Sequence, residues 1–146
     1  RYLGDAEHLA VTYGDGLTDV DLGAELDYHL SHDRLGTVLA VNPRSPFGRF
    51  ELHEDAATGF LEKPTLTGTW VNGGYFLFRR GFLDYLSADD GCTLEDEPLR
   101  RLTADGELTV FRHQGFWSCV DTVRDRAQLQ ALWEAGEAPW RAGEPA

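Results

Sequence analysis

Three short patches of this sequence hold residue types that bind metal ions and phosphates: Gly14-Asp15-Gly16, Glu62-Lys63-Pro64, and Asp121 after an apolar run. Asp15 follows Leu9-Ala10-Val11-Thr12-Tyr13, a run that predicts a buried strand. It would therefore sit at the carboxyl end of that strand, where open α/β sheets collect their ligands. Flanking glycines let a ligand approach the backbone, and a carboxylate there suits Mg²⁺, which takes hard oxygens and uses one or two protein carboxylates. By itself the tripeptide more often means a plain Asp-Gly turn. Asp121 follows Phe116-Trp117-Ser118-Cys119-Val120 and opens a helix, which repeats the strand-end setting. A helix N-terminus also favours an aspartate for its dipole alone. Lys63 is the one lysine in 146 residues, and a lysine at a strand end can act as a point charge on a phosphate. Asp19-Val20-Asp21 has the D-x-D spacing of metal-dependent glycosyltransferases. It also opens an amphipathic stretch, where helix N-capping by Asp19 or Asp21 accounts for it.

The elements that must position these residues follow from periodicity. A strand over 9–13 precedes a helix whose apolar face would carry Leu22, Leu26, His29 and Leu30. Thr37-Val38-Leu39-Ala40-Val41 is the next strand. Strand, helix and strand within about 30 residues predict a βαβ unit and a parallel, mostly buried sheet. Short strands over 47–53 and 59–62 flank a turn-rich segment, and a strong strand over 70–78 is interrupted by Gly73-Gly74. A glycine pair inside a strand predicts a bulge or a ligand passing close to the backbone. Short helices are expected over 81–86 and 94–103, and strands over 107–112 and 116–120. The clearest helix is 122–135, with Thr122 and Asp125 as a capping-box pair and Val123, Ala127, Leu132 and Trp133 on one face. The fold class is α/β, Rossmann-like, with a mostly parallel sheet and an irregular β insertion, all in one domain. The tail over 142–146 is expected to be loose.

Composition narrows the function. A net charge of −12 argues against nucleic acid as a partner, because phosphate backbones demand a basic face. Phosphorylated substrates would need local cations or a metal to overcome that field. No apolar stretch is long enough for a membrane helix and no signal peptide opens the chain, so a cytoplasmic enzyme is expected. Cys92 and Cys119 suit buried thiols in a reducing compartment. His8, His29, His32, His53 and His113 make no zinc pattern, and His29 and His32 are expected to be solvent-exposed. The chain begins at Arg1 and has no methionine, which predicts further residues upstream.

Taken in order, these pieces resemble the nucleotidyl transferase family, and within it the glucose-1-phosphate cytidylyltransferase branch. The resemblance rests on Thr12-Tyr13-Gly14-Asp15-Gly16-Leu17-Thr18, Pro46-Phe47-Gly48-Arg49-Phe50, Glu62-Lys63-Pro64 and Val71-Asn72-Gly73-Gly74-Tyr75-Phe76. It continues through Glu97-Pro98-Leu99, Gly115-Phe116-Trp117, Asp121-Thr122-Val123-Arg124-Asp125 and the Leu132-Trp133-Glu134 to Ala138-Pro139-Trp140 ending.

The resemblance implies that Asp15 and Asp121 bind Mg²⁺ and that Lys63 contacts the sugar phosphate. It places Gly14, Glu62, Gly48 and Asn72 in substrate binding, the last three around a hexose. The implied reaction joins CTP and glucose 1-phosphate into CDP-glucose and pyrophosphate, a supply for deoxysugars of surface polysaccharide or glycosylated metabolites. UTP, dTTP or GTP in place of CTP, a glycosyltransferase using Asp19 and Asp21, and a noncatalytic sugar-phosphate sensor are the alternatives. The family's glycine-rich nucleotide loop, ending in a Gly-Thr-Arg-type sequence, has no counterpart here. The chain is thus expected to be the C-terminal portion of such a domain, inactive alone. Related enzymes form homo-oligomers, and Trp133 and Trp140 could pack on a neighbour or within the chain.

Overall fold

The computed structural model describes residues 3–141. The elements run β1 (His8–Thr12), β2 (Gly16–Thr18), α1 (Leu22–Leu30), β3 (Gly36–Val41), β4 (Arg49–His53), β5 (Ala56–Leu61) and β6 (Val71–Arg79). A 3-10 turn (Arg80–Tyr85), α2 (Glu97–Ala104), β7 (Leu108–His113), β8 (Trp117–Cys119), α3 (Val123–Glu134) and a second 3-10 turn (Pro139–Arg141) follow. The tail over 142–146 lies outside the described residues. No described helix is long and apolar enough to cross a membrane.

Four strands make the main sheet in the order β1-β6-β3-β7. The α/β class holds, but the sheet is mixed rather than mostly parallel. β1 and β3 run in the same direction, as a strand–helix–strand unit requires, yet β6 lies between them antiparallel to both. Only β3 and β7 pair in parallel. Strand composition is silent on which strand becomes the neighbour, because the apolar run of β6, Tyr75 to Phe78, fits either partner. Every residue of β3 is buried, as its unbroken apolar run demands. The core gathers where β3 and β6 meet the first 3-10 turn and α2, with Val38, Phe76, Phe78, Phe82 and Leu102 in contact. Phe78 and Phe82 stack with centroids 3.8 Å apart. Each such aromatic contributes roughly 1.5–3 kcal/mol by leaving water.

Two helices turn other faces inward than their apolar spacing predicts. In α1 the leucines stay out, Leu22 at 57% and Leu30 at 50% exposure, while Glu25 and His29 are buried. His29 Nδ1 meets Thr37 Oγ1 of β3 at 2.9 Å and its Nε2 meets His8 Nδ1 at 3.2 Å, so polar bonds to the sheet set the docking face. His29 is therefore not solvent-exposed as expected, and His32, also on Thr37 Oγ1, is half-buried. In α3 the capping box forms as predicted, but Leu129 is the buried residue and Val123 is 86% exposed. Val123 is the first helical residue and is left to solvent. Trp140 packs on Phe116 with centroids 5.3 Å apart, and Arg141 stacks over Trp133 at 4.5 Å, so both tryptophans have partners within the chain.

The irregular insertion is a separate two-stranded ribbon, β4 with β5. Its turn is tighter than the sequence suggests, because Glu54 takes a positive φ of 53° and lets Ala56 start the return strand. A second ribbon joins β2 to β8. None of the expected strands covers β2, since three residues carry no periodicity of their own.

Candidate active site at one end of the sheet

The pairing register brings the candidates to one end of the molecule. Thr12 closes β1 opposite Tyr75, Val41 closes β3 opposite Val71, and Val41 is level with His113 of β7. The segments around Tyr13, Asn42, Asn72 and Gln114 therefore share the end at which β1, β3 and β7 terminate. This is the ligand end of an open sheet.

Asp15 and Asp121 meet there. β2 pairs with β8 so that Gly16 faces Cys119, and the ladder extends by a bond from Val120 N–H to Asp15 O at 2.9 Å. Asp15 and Asp121 thus flank one strand pair from opposite chains of it. Both carboxylates are exposed, and among the described residues neither is paired with a cation. The Cys119 thiol lies between their fields. Its Sγ–H donates to Asp121 Oδ2 at 3.0 Å, and its pKa is pushed up to about 11 by burial, that bond, and the charges of Asp121 and Asp15. Asp15 and Asp121 together make this end of the ribbon anionic. Their oxygen donors suit Mg²⁺, which keeps waters and substrate oxygens for its remaining positions. Cys119 is half-buried and hydrogen-bonded, a more polar setting than the buried hydrophobe expected of it.

The Glu62-Lys63-Pro64 patch forms a second group. Ser45 N–H donates to Pro64 O at 2.8 Å and Arg44 bridges Thr65, which folds the segment before β4 onto the one after β5. A side chain on Gly48 would come within 2.4 Å of the Phe60 ring and 3.2 Å of Glu62 Oε2, so only glycine fits beside that carboxylate. Lys63 adopts φ of 45°, the left-handed region that a β-carbon disfavours, immediately before a proline. Strain of this kind collects at functional positions. Lys63 is half-buried, and no described hydrogen bond or ion pair joins it to Asp15 or Asp121.

Asn72 stands in a third group. Its Oδ1 accepts from Gly74 N–H at 2.8 Å, and its Nδ2 donates to the Tyr13 hydroxyl at 3.0 Å. Tyr13 in turn donates to Glu95. Gly73-Gly74 does make a bulge, with β3–β6 register shifting between Val38 and Ala40. The close approach is by protein: a Cβ at Gly74, where φ is 81°, would lie 2.6 Å from the Tyr13 ring, and one at Gly73 3.1 Å from Leu39 O. Trp117 Nε1–H also donates to Gly73 O at 2.8 Å and Tyr75 O–H to Gly16 O at 2.9 Å, pinning the β2–β8 ribbon to this bulge. Gly14 has open space around its α-carbon, which leaves room for a ligand beside Asp15. Of all these candidates only Asn72 borders the apolar cavity of about 630 Å³ between α2 and the sheet.

Asp19 and Asp21 do not form a metal pair. Asp21 caps α1, accepting from Ala24 N–H at 3.0 Å. Asp19 Oδ1 accepts from Phe116 N–H at 2.7 Å and meets His113 Nε2 at 2.7 Å, so it ties β2 to the loop after β7. Tyr13, Glu95 and His113 were given no role by the sequence. Their partners lie 82 and 94 residues away along the chain, and no local pattern marks such pairs.

The chain is 40% identical over 144 residues to the glucose-1-phosphate cytidylyltransferase of Salmonella typhimurium (strain LT2), covering 99% of this chain and 56% of that one. It is 27% identical to the glucose-1-phosphate adenylyltransferase of Bacillus subtilis (strain 168), covering 90% of this chain and 36% of the other. The solved structure of HddC from Yersinia pseudotuberculosis superposes with a TM-score of 0.61 at 16% identity, over 88% of this chain and 56% of that chain, a likeness of fold. This chain thus spans little more than half the length of the Salmonella relative. The nucleotidyl transferase family profile matches residues 1–137. With a match that leaves so little of it outside, the chain belongs to the nucleotidyl transferase family.

Proposed function

We propose that the protein carrying this chain transfers a cytidylyl group from CTP to α-D-glucose 1-phosphate, giving CDP-glucose and pyrophosphate. The observation that carries this is that the β2–β8 pair brings Asp15 and Asp121, both exposed, to neighbouring positions at the ligand end of the sheet. The choice of cytidine rests on the Salmonella relative's name and identity.

The chemistry asks little covalent work of the protein. A sugar phosphate is already ionised near neutral pH, its second pKa being about 6. Its oxygen needs no general base to bond to the α-phosphorus as the bond to pyrophosphate breaks. Positioning and charge dispersal remain. Asp15 and Asp121 would hold Mg²⁺, which when bound neutralises phosphate charge. Lys63 supplies the cation for the incoming sugar phosphate, as a compact ammonium held by a strained backbone. Glu62, beside Gly48, and Asn72 offer hydrogen bonds to hexose hydroxyls. Each is exposed at the end of the sheet. Substrates and products are small molecules, and a cytoplasmic setting fits them.

The test is pyrophosphate release by the full-length protein with Mg²⁺, glucose 1-phosphate and each triphosphate in turn. CTP should be preferred; a preference for UTP, dTTP or GTP overturns the cytidylyl assignment. Asp15→Asn and Asp121→Asn should each lower kcat/KM by about 100-fold or more. Asp21→Asn should keep activity, since it alters a cap worth about 1 kcal/mol. Activity that depends on Asp21 and not on Asp15 would rule out this site.

A further inference from the structure

Asn72, Tyr13 and Glu95 form a hydrogen-bonded chain whose directions are all fixed by one backbone group. Gly74 N–H can only donate, so the Asn72 atom 2.8 Å from it must be Oδ1. The amide nitrogen then faces the Tyr13 hydroxyl at 3.0 Å, and that oxygen must accept. The single hydrogen of the phenol is left for another acceptor, and Glu95 provides it. We propose that Glu95, acting through Tyr13, is a positioning residue: it keeps the phenol oxygen turned to accept from the Asn72 amide nitrogen, and this second anchor steadies the side chain that binds the hexose. This deepens the sugar-1-phosphate reading and rests on it.

The rest of the site makes the hydroxyl direction the one variable. Tyr13 is anchored independently: its N–H donates to Gly74 O at 2.8 Å, its ring lies over the bare α-carbon of Gly74, and it meets Phe76 edge-on at 5.5 Å. Only the Glu95 carboxylate decides where the phenol proton points. If it is removed, the phenol can turn its hydrogen toward the Asn72 amide nitrogen, where donor would face donor and the second anchor on the amide would be lost.

In the observed arrangement Asn72 keeps one Nδ2 hydrogen and one Oδ1 lone pair with no described partner, on an exposed side chain. A donor and an acceptor side by side match two adjacent sugar hydroxyls, one accepting and one donating. Glu95 lies outside every motif that marks the family in this sequence, in the loop before α2, and binds nothing else described.

Steady-state kinetics of the full-length protein test this. Glu95→Ala and Tyr13→Phe should each raise KM for glucose 1-phosphate about tenfold, the worth of one hydrogen bond, with kcat and KM for the triphosphate within about twofold. Glu95→Gln, whose amide oxygen still accepts the phenol, should restore the wild-type KM. With the monodeoxy glucose 1-phosphates, the wild type should lose about tenfold for the analogue lacking a bound hydroxyl. Glu95→Ala should lose nothing further on it. An unchanged KM and deoxy-sugar profile in both variants overturns the proposal, as does a parallel fall of Tm, kcat and both affinities, which marks a structural role. Failure of the parent protein to release pyrophosphate with any triphosphate is a different result, and it removes the sugar-1-phosphate reading together with the inference.

Discussion

Lys63 shows most directly how a single residue departs from what its sequence context favours. At φ of 45° before a proline it occupies backbone space where glycine costs nothing and a β-carbon costs about 1–2 kcal/mol. A structure that keeps lysine there is giving up stability for its ammonium group. Lys63→Gly is therefore expected to raise stability by about 1 kcal/mol in urea denaturation while lowering kcat/KM by about tenfold or more. A variant that loses both stability and activity would show that the lysine side chain packs rather than serves. The neighbouring Glu62 and Gly48 carry a complementary lesson. Their adjacency in the motifs gave no reason why position 48 should be glycine, whereas the Phe60 ring 2.4 Å from its missing Cβ does.

Among the elements, α1 is the one whose inward face inverts the ordinary preference, burying a carboxyl and an imidazole and leaving three leucines outside. Among the described residues Glu25 Oε1 has no hydrogen-bond partner, and burial pushes the carboxyl pKa up from 4.5 to about 7. The unfolded chain releases this proton first, so the stability the side chain contributes is whole below about pH 4.5 and is lost as pH rises to about 7. His29 behaves oppositely. Burial, then the charges of His32, His8 and Arg79, lower its pKa from 6.5 to about 4, so its contribution is whole above about pH 6.5 and lost as pH falls to about 4. Glu25→Gln separates the two. It should stabilise the protein by about 1–3 kcal/mol at pH 8 and by nothing at pH 4, measured by denaturant titration at both pH values. A gain that is equal at both pH values would place the effect in packing, not ionisation.

At the scale of the molecule, a mixed four-stranded sheet supplies rigidity and two small ribbons supply the site. The β2–β8 ribbon is pinned to the sheet through Trp117 and Tyr75, whereas β4–β5 is a two-stranded arm whose Phe50, Leu52 and Phe60 are all more than half exposed. Isolated ribbons are marginal, so hydrogen exchange of amides 49–61 should run about 100-fold or more faster than that of amides 38–41. Equal protection of the two regions would mean that the arm is held by contacts beyond its own strand pair. The sequence by itself determined the strands other than β2, the capped helix after Asp121, the α/β class and the candidates for metal and phosphate binding. Those depend on local periodicity, capping and motif order, all written within a few residues. Only the tertiary structure decided that β6 would separate β1 from β3, that α1 would dock by His29 rather than by its leucines, and that Asp19 would serve a loop instead of a metal. It alone brought Asp15 to Asp121 and Glu95 to Tyr13. The physical reason is common to all of these: each is a pairing between distant segments, settled by which hydrogen bonds and buried surfaces can be satisfied together, and no short stretch of chain carries that information.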